Sequence, residues 1–198
     1  MAIDGEADDP GFGGGDPVGS AASLAMLLVP SNLPGPGWKV SRERTWPTGQ
    51  LDAESEKSRR AVGAGAVTAW RSFEQTGAAR SAWFEVVPYA TAADASLSLR
   101  QAPKYFEGTD DPDERVVAQG FVEGRVLPGL ADAWILEKSL AGPTGGRVSR
   151  FVAGTVGHVL SIASSSGPEG TWEMDDLVGL ALRQAERIRS ALGTDLGG

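Results

Sequence analysis

His158 is the only histidine and the chain has no cysteine, so Ser/His/Asp or Cys/His chemistry would have to be built around that one imidazole or not at all. Val156, Leu160 and Ile162 recur at alternate positions around it and share its face in an extended chain. That context describes a core or edge histidine with a hydrogen-bond partner; a pH-sensing role is the other reading. Asp110, Asp111, Asp113 and Glu114 are oxygen donors suited to a hard cation, yet Pro112 interrupts them and the glycine and distal glutamate of a calcium loop are missing, so they read as a solvated loop. Gly63, Ala64, Gly65 and Ala66 make half of a dinucleotide fingerprint, but without its third glycine and ahead of a β-forming run, which describes a turn. Arg42, Arg44, Arg59, Arg60, Arg147 and Arg150 would form an anion site if gathered on one side of a sheet; in an acidic chain they more often pair with carboxylates. Paired acids for glycoside or phosphate chemistry cannot be chosen among 26 carboxylates, because their separation in space decides the mechanism. No residue is nominated as catalytic, cofactor-binding or metal-binding, and no cofactor is expected.

The elements that must position any site come next. The formal net charge of −8 and pI near 4.7 repel phosphate backbones and anionic lipid heads, which argues against nucleic-acid and membrane partners. The longest apolar run, residues 24–29, is far short of the ~20 needed to span a bilayer. Asp4, Glu6, Asp8 and Asp9 stand where a secretory leader carries positive charge, and lipid anchoring needs a cysteine, so the expected location is cytoplasmic unless translation starts further upstream.

Residues 1–20 combine acids, prolines and a triple glycine with little to bury, which predicts a disordered lead. Residues 21–30 form a short apolar segment, helical if it docks, and Pro30 ends it. Residues 31–193 are expected to form one α+β domain, with a flexible tail at 194–198. Within it, residues 38–46 read as extended up to Pro47, Thr48 and Gly49, residues 51–60 as a charged stretch in which Glu56 and Arg60 would pair if helical, and residues 67–73 and 82–87 as a hairpin around Gly77. Thr91 with Asp94 approximates a capping box that opens a helix toward Gln101, stopped near Pro103. Residues 121–127 read as a short strand, and residues 133–140, 147–153 and 156–163 as a meander with a turn at Gly154. Leu177, Ala181, Ala185, Ile188 and Leu192 form one stripe of a final helix that Gly193 stops, and this stripe is expected to cover the face carrying Leu160 and Ile162. The sum is a mainly antiparallel sheet of about six strands packed by two or more helices. Six tryptophans should lie mostly in the core, with both faces covered or one left as an aromatic surface for a ligand or partner.

Leu33, Pro34, Gly37 and Trp38 ahead of the first strand, Ala92 to Asp94 opening a helix, Gly129 to Ala133 before a strand, and Arg150 to Leu160 in a glycine-interrupted hairpin resemble the actinobacterial sensor-like domains. Those include LpqN-type lipoproteins and the extracellular sensor domains of mycobacterial receptor kinases. The resemblance implies a Mog1/PsbP-like α/β/α sandwich, although the chain lacks that family's export signal, lipidation cysteine and paired cysteines. The function it implies is a non-enzymatic binding or interaction module for an unknown small ligand or protein partner. A subunit of a larger assembly and a hydrolase-type enzyme using carboxylates or arginines are the alternatives.

Overall fold

A computed structural model describes residues 29–47, 67–108, 112–143 and 145–193. The lead at 1–20, most of the apolar segment, Gly63 to Ala66, Arg59, the Glu56 and Arg60 pair, Asp110, Asp111 and the tail lie outside the described residues. Seven strands form one antiparallel sheet: β1 (Trp38–Pro47), β2 (Val67–Gln75), β3 (Ser81–Pro88), β4 (Arg115–Phe121), β5 (Ala131–Gly142), β6 (Gly145–Val156) and β7 (Val159–Pro168), in spatial order β1-β2-β3-β7-β6-β5-β4. Among the described residues two α-helices pack on it, α1 (Ala92–Gln101), which runs into a short 3-10 helix (Ala102–Phe106), and α2 (Met174–Leu192).

The α+β class is as the sequence predicts, with one strand more than the expected six. Alternation explains the two layers. Ala82, Phe84 and Val86 of β3 and Val152 and Val156 of β6 join the α2 stripe of Leu177, Ala181, Ala185 and Ile188 in one cluster. The opposite face carries Val87, Ala153, Leu160 and Ile162 against Leu99 of α1, and the ring of Phe106 lies among those of Trp83, Trp134 and Phe151. Of the two readings of Trp83, the covered one holds. Thr91 caps α1 as expected, its hydroxyl oxygen accepting from the Asp94 amide at 3.2 Å and donating to the Asp94 carboxylate at 2.7 Å. Gly193 closes α2 at φ 66°, its amide donating to the carbonyls of Arg189 and Ser190.

Three expectations are corrected. The turn of the last hairpin falls at Gly157 and His158, with Val156 paired to Val159. A two-residue turn inverts the parity of the strand that follows, so Val159 and Ala163 meet the α2 layer while Leu160 and Ile162 meet α1. Gly154 is a strand residue: a Cβ there would lie 2.8 Å from Leu130 Cβ and 3.0 Å from Ala133 Cβ, so its glycine serves close approach, not a turn. Gly154→Ala should therefore cost about 1–3 kcal/mol in chemical denaturation through overpacking; an unchanged midpoint would show that the neighbouring loop yields freely. Residues 122–127 are not a strand; that strand, β4, lies earlier, at Arg115–Phe121, where its side chains are largely exposed at the sheet edge and the buried-strand pattern is absent. Of the tryptophans, Trp172 is fully buried, whereas Trp38, Trp46, Trp70, Trp83 and Trp134 are half-buried, since an indole this large at a sheet edge or layer rim keeps part of its surface in water.

Candidate functional site

The Leu33 to Pro36 lead-in, the β2–β3 turn and the start of α2 converge at one end of the face that α2 covers. Gly35 and Gly37 take φ of 93° and 83°, which lets the chain double back before β1. The Gly37 carbonyl accepts from the Thr76 amide at 2.8 Å and the Pro36 carbonyl from Gln75 Nε2 at 3.0 Å, which pins the lead-in to the β2–β3 turn. Trp38, the first residue of β1, is thereby set against Trp172, the residue two before α2, with ring centroids 5.4 Å apart at 43°.

Trp172 is held from behind. Its carbonyl accepts from Arg150 Nη1 at 2.9 Å, and Arg150 Nε is paired to Glu137 at 2.6 Å, so a β5–β6 ion pair fixes the backbone that presents the indole. Arg80, immediately before β3, lays its guanidinium over this pair of rings, with Cζ 4.4 Å from the Trp172 centroid and 5.7 Å from that of Trp38. The walls enclose a groove of about 500 Å³, floored by Leu33 and Leu180 and rimmed by Asp175, Asp176 and Arg183. That size and mixture, aromatic walls with a few convergent polar groups, suit a small organic ligand. Trp172 Nε1 and Arg80 Nε are buried without a hydrogen-bond partner among the described residues.

A second cavity of about 410 Å³ lies beyond Arg80, lined by Arg147, Ser166 and the Gly145 and Gly146 turn. It contributes no ring, and Arg147 is already engaged, donating to Glu114 at 2.6 Å and to Ser166 Oγ at 3.0 Å. The groove is the better candidate on that ground.

The residues weighed from sequence are dispersed. His158 is exposed at the β6–β7 turn, not buried in a strand, and its carbonyl accepts from the Tyr89 amide at 2.9 Å. Glu114 serves Arg147, and among the described residues no group of three His, Asp or Glu side chains is placed to hold a metal ion. Arg42 and Arg44 stand on the edge strand β1, with three strands between them and Arg147 and Arg150 on β6, and the latter two hold glutamates, as expected of arginines in an acidic chain. Arg80, Asp176 and Arg183 carried no signal in sequence: each is a charged residue in a polar stretch, and only the fold brings them beside two tryptophans.

No family model and no curated protein matches the sequence. The fold is shared. The extracellular domain of PknH from Mycobacterium tuberculosis superposes with a TM-score of 0.52 at 12% identity, over 85% of this chain and 90% of that one. The Rv0999 ortholog from Mycobacterium smegmatis is also similar, with a TM-score of 0.41 at 12% identity, over 87% of this chain and 95% of that one. The likeness to the PknH domain is one of fold. It also corrects the cytoplasmic expectation: the fold matched is that of an extracellular domain, so the acidic opening and the lack of cysteine do not place this chain inside the cell. Among the described residues no helix is long and apolar enough to cross a membrane.

Proposed function

We propose that this chain is a non-enzymatic binding module, akin to the LpqN-type and receptor-kinase sensor domains on a Mog1/PsbP-like sandwich, and that the Trp38 and Trp172 groove takes its ligand. The carrying observation is the preformed groove itself: two indoles 5.4 Å apart, with a cation stacked on them, at a place held open by a backbone-anchored lead-in. The PknH domain that shares the fold is an extracellular one.

Native mass spectrometry of the protein purified from its own host is expected to show a retained small molecule in the groove. Titration with ring-bearing compounds is expected to quench the tryptophan fluorescence saturably, and Trp38→Ala should abolish that quench. A bare chain from the host together with a flat titration across such compounds would rule the reading out.

A further inference from the structure

We infer that the groove selects a small organic acid, a ligand with an apolar ring body and a single carboxylate, and that Arg80 is the residue that binds the carboxylate; this rests on the groove being the ligand site. The observation is an exception. Each of the other described arginines that is not exposed holds a glutamate: Arg71 with Glu43, Arg147 with Glu114, Arg150 with Glu137, Arg189 with Glu186. Arg80 is half-buried and holds no acid among the described residues, although Asp175 and Asp176 line the same groove and Asp175 is instead paired with Arg125. A guanidinium partly withdrawn from water needs compensation, and among the described residues it has the faces of Trp172 and Trp38, with its Nε without an acceptor there.

The planar fork of an arginine stacked on a ring keeps its edge available for two parallel hydrogen bonds to a carboxylate. The half-buried indole of Trp38 beside it offers flat apolar area to a ring attached to that carboxylate. Charge sets the limit of one. Asp175 and Asp176 stand at the rim of a protein whose net charge is −8, so a doubly charged phosphate meets two carboxylates and a repulsive field, whereas a monoanion is matched by Arg80, with Arg183 at the mouth.

The test uses the full chain and matched probes: indole-3-acetate against indole-3-acetamide, 1-naphthaleneacetate against its amide, and inorganic phosphate, each titrated by calorimetry. Each acid is expected to bind at least about 10-fold more tightly than its amide, and phosphate is expected to show no saturable binding. Arg80→Gln should erase the preference for acid over amide, and Arg80→Lys should restore part of it. Because the variants can disturb folding, the wild-type protein carries an independent arm: acid affinity should fall as sodium chloride rises while amide affinity stays constant. Equal binding of acid and amide, without salt dependence, overturns the carboxylate assignment and leaves the groove reading standing. Tighter binding of phosphate overturns the single-charge selection. If neither acids nor amides bind, the groove reading falls and this inference falls with it.

Discussion

Phe84→Ala should remove about 3–5 kcal/mol of folding stability, the range for emptying a fully buried aromatic site. Phe84 is 0% exposed on β3, the third strand of the sheet, and its ring meets Phe73 edge to face with centroids 5.9 Å apart at 83°. Neighbours on both sides in the sheet fix the backbone, and α2 closes the layer above, so the surroundings have little freedom to collapse into the hole. Against a total stability of about 5–15 kcal/mol for an ordinary domain, a loss of this size consumes a large share of it. Urea unfolding should show the midpoint falling with the slope unchanged, which locates the effect in the folded state. Tyr105→Ala, at 70% exposure, is the control and should shift stability by no more than about 0.5 kcal/mol. A Phe84→Ala loss no larger than that control would mean the two-layer packing described above is wrong.

What could be read from the sequence follows the range over which each signal acts. The α2 stripe is written in three- and four-residue spacing, Gly193 in the left-handed stop and Thr91 with Asp94 in a local exchange of hydrogen bonds, so these needed no partner to be seen. Gly154 and Gly157 show where local reading ends. Both are glycines in one apolar run, one present for the approach of Leu130 and Ala133 and the other for a turn at φ 57°, and nothing within the run tells them apart. A turn at Gly154 instead of Gly157 exchanges the two faces of β7, because side-chain direction in a strand has a period of two.

The groove was harder still to see, for a reason of the same kind. Trp38, Arg80 and Trp172 belong to the start of β1, to the β2–β3 turn and to the segment before α2, and they meet only because β7 and β3 are hydrogen-bonded neighbours while β1 closes the same edge through β2. Their chemistry is a property of the strand order. Composition hinted at it, through an excess of tryptophan, without saying which indoles were structural and which kept a face for something else.

Trp172→Ala and Trp172→Phe should separate those two uses. Trp172 is 5% exposed and packs within the α2 layer, so the alanine variant is expected to lose about 3–5 kcal/mol. It also takes away the nearer of the two ring faces that carry the Arg80 guanidinium, leaving that cation half-buried with Trp38 alone 5.7 Å away. Phenylalanine keeps a ring face and deletes the indole N–H. That donor is buried without an acceptor in Trp172, so its removal offsets part of the lost volume, and Trp172→Phe should cost only about 1–2 kcal/mol. The cation makes a further distinction: stacking on Phe is weaker than on Trp but still attractive, so Trp172→Phe should keep ring-bearing acids bound with reduced affinity while Trp172→Ala releases them. Paired urea curves and acid titrations measure both differences at once. If Phe proved as costly as Ala in stability, the buried N–H would have to be satisfied in solution, and the indole would be anchored by that hydrogen bond instead of serving as a platform for Arg80.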